Sequence, residues 1–206
     1  MWKVIKSVRL TILLAWIFSS LSAQTISKSE SDPAIRRDFT KTPYPRIAML
    51  WAAVRGEKGI ESMARHDLIM AGQNSLGLKP DKDPTGLSEG FTRESIEVAK
   101  KCVQQIHKIN PDALIIADML FYEYPDSWLP EDHPWWLRKN GERQQFWPGT
   151  HRMDWYNAEY RKKMIRQTKA LLETGVDGVF YDNLRNEPEP WVAFLSELRK
   201  EIGDDF

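Results

Sequence analysis

The chain has 206 residues, 42% of them hydrophobic, 28% charged and 11% aromatic. That composition describes a folded domain with a sizeable core and excludes disorder over most of the length. Lys plus Arg and Asp plus Glu both number 29, for a formal net charge of zero, so no excess of basic charge exists to bind nucleic acid or an anionic membrane surface.

Residues 1–23 read as an export signal. Lys3, Lys6 and Arg9 precede the apolar run from Leu10 to Phe18, and Ser19-Ser20-Leu21-Ser22-Ala23 supplies small residues for cleavage. The apolar run is short for a membrane span, so the expectation is a secreted or periplasmic chain starting near Gln24, with no stable membrane insertion after cleavage. An uncleaved anchor is the alternative. Cys102 is the single cysteine, which rules out an internal disulfide, and its place beside Val103 on a helix predicts a buried, inert thiol.

Residues 24–45 are polar and broken by Pro33, Pro43 and Pro45, which predicts an extended arm. A buried strand follows over 47–53, then a short helix over 60–65 and a second strand over 67–72. Residues 73–91 carry Pro80, Pro84 and glycines at 77, 86 and 90, the marks of an irregular connection. Thr92 is placed to cap a helix whose apolar positions Ile96, Ala99, Val103 and Ile106 recur at helical spacing. A third strand over 113–120 runs apolar into Asp118.

About 35 residues then carry Tyr122, Tyr124, Trp128, Trp135, Trp136, Trp147 and Trp155. A loop of that length is usually functional, and this one is expected to cover the carboxyl ends of the strands. Asn157 opens a helix with Tyr160, Met164, Thr168 and Leu171 along one face. Gly175 ends it where left-handed geometry is needed. A short apolar strand, Val179-Phe180-Tyr181, then gives way abruptly to Asp182-Asn183. Pro190 opens the last helix, with Trp191, Phe194, Leu195, Leu198 and Ile202 along its face.

Four repeats of strand then helix specify a parallel sheet, either an open doubly wound sheet or a barrel. Neither G-x-G-x-x-G nor G-x-x-x-x-G-K-[ST] follows the first strand, and polar groups end several different strands, as in a (β/α)8 barrel. Such a barrel takes about 250 residues, so residues 46–206 are expected to form its first four repeats, the N-terminal half of a longer domain.

The segments Asp154-Trp155-Tyr156-Asn157-Ala158-Glu159-Tyr160-Arg161 and Gly175-Val176-Asp177-Gly178-Val179-Phe180-Tyr181-Asp182-Asn183 resemble those of secreted glycoside hydrolase barrels, in particular the hypothetical glycosyl hydrolase family 15. The second segment is also similar to the fourth-strand motif of the α-galactosidase clan. It keeps a Tyr before the Asp and lacks that clan's Lys before Tyr and Cys after Asn. The resemblance implies glycosidase activity, with the nucleophile role falling on Asp182.

Glycoside cleavage by two carboxyl groups requires one ionised and one protonated. Asp182 is the candidate for the ionised one, and its alternative is a helix cap. Asn183 suits a sugar hydroxyl, and Arg185 is placed to hold the Asp182 charge or to be a solvated loop cation. Asp118 either binds sugar hydroxyls from the same rim or serves as a cap or ion-pair partner. Trp51, Tyr122 and Trp147 are candidate sugar contacts, weighed against ordinary core packing. The protonated group is expected beyond residue 206. His66, His107, His133 and His151 show no metal-ligand spacing, and neither a metal nor a cofactor is expected. The competing reading is a carbohydrate-binding barrel without catalysis.

Overall fold

The computed structural model describes residues 47–52, 56–183 and 188–203. The expected export signal, the polar arm and Arg185 lie outside them. Four parallel strands form the central sheet in the order β1 (Ala48–Ala52), β2 (Leu68–Gly72), β3 (Leu114–Leu120), β8 (Gly178–Asp182). Each is followed in sequence by a helix: α1 (Glu57–Met63), α2 (Arg93–Ile109), α3 (Ala158–Leu172) and α4 (Pro188–Ile202).

The strand alternation sorts the residues between two faces. Ile69, Ala71, Ile115, Ala117 and Met119 are at most 1% exposed and face the helices, where Tyr181 on β8 meets Thr168 of α3, hydroxyl to hydroxyl at 2.9 Å. The opposite face carries Ile116, Asp118 and Leu120, with Leu68 and Phe180 more than a third exposed. Pairing runs from Leu68↔Leu114 to Gly72↔Asp118, and from Ile116↔Gly178 to Leu120↔Asp182. A Cβ on Gly178 would stand 3.1 Å from Ile116 Cδ1, so glycine relieves the first step of the β3–β8 register.

Two aspartates repeat one device at the amino ends of the strands. Asp67 accepts the Ile47 N–H through Oδ2 at 2.7 Å, and Asp177 accepts the Ile115 N–H through Oδ2 at 2.8 Å. Each satisfies a backbone donor that the first turn of a parallel ladder leaves over. The expected helix caps form as well. Thr92 accepts from Ser95 N, and Asn157 Oδ1 accepts from the N–H groups of Glu159 and Tyr160. Gly175 follows α3 at φ +85°, the left-handed turn anticipated there.

Residues 121–155 depart from the expected irregular loop. They fold as β4 (Glu123–Pro125) antiparallel to β7 (Thr150–Arg152), and β5 (Arg138–Lys139) antiparallel to β6 (Glu142–Arg143). Asn140 and Gly141 turn the second pair at φ +55° and +86°, the left-handed geometry of a two-residue hairpin that Asn-Gly favours. Most of the aromatics pack inward: Tyr124, Trp136 and Trp155 are at most 2% exposed. Leu195 also differs, at 51% exposed; α4 buries the narrower stripe of Trp191, Phe194 and Leu198.

Phe121 sits at the centre of the aromatic cluster, fully buried. Its ring lies 3.6 Å from Trp155, 4.4 Å from Trp191, 4.7 Å from Tyr181 and 5.2 Å from Phe194. Its carbonyl accepts the Tyr160 hydroxyl at 3.1 Å. One ring thus joins the exit of β3 to β8, α3 and α4. Phe121→Ala is expected to cost about 3–5 kcal/mol in urea unfolding of the whole chain; a loss under about 1 kcal/mol would mean the cluster closes over the gap.

Candidate active site

The carboxyl ends of β3 and β8 bring Asp118, Asp182 and Asn183 to one rim. In the β3–β8 register Asp118 pairs with Phe180 and Leu120 with Asp182, so the two carboxyl groups are two positions apart on the same face of adjacent strands. Asp182 is half-buried. Its Oδ1 accepts the backbone N–H of Asn183 at 2.8 Å, and its Oδ2 accepts Asn183 Nδ2 at 3.4 Å. Asn183 adopts φ +61°, a left-handed conformation that Asn tolerates better than most residues.

Asp118 stands in the wall of a cleft of about 400 Å³ lined also by Gln73, Asn74, Leu120, Tyr124, Trp128 and Gln167. Its Oδ1 is buried and has no hydrogen-bond partner among the described residues. Burial first, and then the neighbouring Asp182 charge, push its proton affinity up to about 6, against a hydrogen bond from the Met119 backbone that pulls the other way. Below about pH 6 the protonated carboxyl group adds a donor to its acceptors, and above it the group only accepts.

Behind the cleft lies a residue that sequence reasoning missed. Lys163 of α3 is 1% exposed, and its ammonium donates to Tyr124 Oη at 2.7 Å and to Gln167 Oε1 at 2.9 Å. Both acceptors line the cleft, so one buried cation fixes two of its polar walls. Lys163 lies among the inward positions of α3, one residue before Met164, and the charge alone marks it as unusual there. Glu123 of β4 was also missed. It is 4% exposed, and its Oε1 accepts Asn183 Nδ2 at 2.7 Å.

The other expected contacts scatter. Tyr122 is 3% exposed, with Phe146 edge-on at 5.2 Å and the Arg152 guanidinium over its ring at 4.7 Å, so it presents no face for stacking. Trp147 is 54% exposed at the turn that Thr150 closes, and Trp51 is 62% exposed at φ +51° beside an irregularity in the β1–β2 pairing. Neither lines the cleft that holds Asp118. Arg161, in the segment that opens α3, has an architectural role: its guanidinium grips Glu197 of α4 at 2.9–3.3 Å and donates to the carbonyls of Trp155 and Tyr156 at 3.0 Å. Cys102 is half-buried, and desolvation pushes its thiol up, away from the reactive thiolate. Among the described residues no group of three or more His, Cys, Asp or Glu is arranged to hold a metal ion, and no helix there is long and apolar enough to cross a membrane.

No protein-family model and no curated protein sequence matches the chain. Among solved structures it is similar to the maltogenic α-amylase AmyB from Thermotoga neapolitana, with a TM-score of 0.50 and 20% identity over 76% of this chain and 42% of that one. It is also similar to the glycoside hydrolase domain of PelA from Pseudomonas aeruginosa, with a TM-score of 0.47 and 16% identity over 77% and 56%. For the α-amylase from H. orenii the values are 0.41 and 17%, over 71% and 39%. These neighbours are glycoside hydrolases, and the chain spans less than half the length of AmyB. The likeness to AmyB establishes an α/β fold with a parallel sheet of the barrel-like kind.

Titration of Asp118 tests the electrostatics of the rim. Carbon-13 NMR should find its carboxyl protonating near pH 6, and Asp182→Asn should lower that midpoint by removing the like charge. The sign for stability follows: the folded state holds this proton up to about pH 6 while the unfolded chain releases it near pH 4. Raising the pH through that window therefore weakens the fold, and Asp118→Asn should flatten that slope. An Asp118 midpoint near 4, or one indifferent to Asp182, contradicts the arrangement.

Proposed function

We propose that this protein is a glycoside hydrolase of an oligosaccharide or polysaccharide, exported through the signal at residues 1–23, with Asp182 as the ionised carboxylate of a two-carboxylate mechanism. The observation that carries the reading is the position of Asp182. It ends the fourth parallel strand, beside Asp118 and in the grip of Asn183, on the edge of the sheet where parallel α/β folds bind their ligands. The glycoside hydrolase neighbours support the same class. The finer placement beside the α-galactosidase clan rests on the segment over 175–183.

In this reading the sugar lies across the carboxyl rim. Asp118 and the amides of Gln73, Asn74 and Gln167 meet its hydroxyls from the cleft, and Trp128 supplies an apolar wall. The Asp182 carboxylate faces the anomeric carbon, where positive charge develops as the glycosidic bond breaks. It either attacks that carbon or draws a proton from the water that does, while the second, protonated carboxyl group of the mechanism gives its proton to the departing glycosidic oxygen. Trp51 and Trp147, exposed and outside the cleft, are proposed as outlying platforms for a longer chain.

The test is turnover of a panel of aryl glycosides and polysaccharides by protein recovered from the medium of an exporting host. Asp182→Asn keeps the shape and removes the charge, so it should slow the reaction by three orders of magnitude or more, roughly 4 kcal/mol. Equal rates for the two proteins would remove Asp182 from the mechanism. Binding of polysaccharide with no turnover by either protein would favour a carbohydrate-binding barrel without catalysis.

A further inference from the structure

Asn183 holds Asp182 by both oxygens, through its backbone N–H to Oδ1 at 2.8 Å and its Nδ2 to Oδ2 at 3.4 Å. A terminal carboxylate is otherwise soft about its last torsion, so a double grip selects one orientation of its lone pairs. The grip depends on where the Asn183 amide points. That amide comes from a backbone at φ +61°, and its shortest hydrogen bond goes elsewhere, to Glu123 Oε1 at 2.7 Å.

Glu123 sits three residues beyond the end of β3, in β4, whose pairing to β7 places it opposite Arg152. At 4% exposed it is out of reach of a substrate. The β4–β7 pairing fixes the backbone that carries Glu123, and the Glu123 carboxyl group in turn holds the Asn183 amide. We infer that Glu123 is a positioning residue for Asp182, acting through the Asn183 amide and touching neither sugar nor water at the reacting carbon. The inference rests on the reading of Asp182 as the reacting carboxylate.

Three variants separate this role from a structural one. E123M removes the acceptor at similar length, E123Q keeps an acceptor oxygen, and N183G removes the amide while keeping the left-handed backbone easy. Two measurements are made on the full chain. One is kcat and KM on the aryl glycoside that the wild type turns over best. The other is the carbon-13 resonance of the Asp182 carboxyl at pH 7.

E123M and N183G should each lower kcat on the order of 10- to 100-fold with KM changed less than about twofold, because misorientation acts on the reacting geometry. E123Q should recover most of the loss. The double variant E123M/N183G should be no slower than N183G alone, since the two act through one contact. The Asp182 resonance should be displaced in the same direction by E123M and N183G and return in E123Q.

Losses that multiply in the double variant, an E123Q as slow as E123M, or an unmoved resonance would each overturn the inference. If E123M does not fold, N183G and E123Q carry the same comparison. If the wild type turns over no glycoside, the functional reading falls, and the resonance alone decides whether Glu123 positions Asp182.

Discussion

The register of β3 against β8 is the constraint on which the rest of the rim depends. With Leu120 opposite Asp182, the chain leaving β3 passes Phe121 into the aromatic cluster beside Tyr181 and brings Glu123 to Asn183. A slip of one residue would turn Asp182 to the helix face, among Phe121 and Phe194, where burial among aromatic rings penalises an ionised carboxylate. The apolar pattern and the charge therefore vote for the same register. Asp177 secures it at the other end, because its N–H donates to the Ile115 carbonyl while its carboxylate accepts the Ile115 N–H, both at 2.8 Å.

Residues 121–155 then do two jobs. Their buried rings supply much of the packing between β3, β8 and the last two helices, which explains why so many of the Trp and Tyr residues are inside. Their backbone also returns to the rim as β4, which brings Glu123 to Asn183 and Tyr124 to the cleft. Lys163 belongs to this second job. A buried ammonium is costly to hold, and here its hydrogens go to the two polar groups that shape the cleft wall.

Much of the frame was legible in the sequence because it depends on local signals. The continuous apolar runs marked the parallel strands, Thr92 and Asn157 announced their helices, and Gly175 its left-handed turn. Asp118 and Asp182 were legible too, since an acidic residue ending a buried strand is visible in one dimension. The excursion was not, because strands of two or three residues are too short to show a period. Asn140-Gly141 was a readable hairpin signal within it. Glu123 could not be told from other acidic residues, as its partner lies 60 positions away. Tyr122 and Trp147 are both aromatic, and nothing local in the sequence shows that the first is packed against Phe146 and Arg152 while the second lies exposed on a turn. Leu195 was expected on the buried face of α4 and instead falls one step outside the stripe of Trp191, Phe194 and Leu198.

The central claim is that the carboxyl rim of the sheet receives a carbohydrate. Nitrogen-15 correlation spectra of the full chain, recorded while neutral, amino and uronic oligosaccharides are titrated in, test it most directly. Binding at the rim predicts saturable shifts gathered at Gly72 to Asn74, Asp118 to Leu120, Tyr124, Asp182 and Asn183, with the amides of α1 and the outer face of α2 unmoved. Shifts confined to the helix side, or spectra unchanged by every sugar, would contradict it.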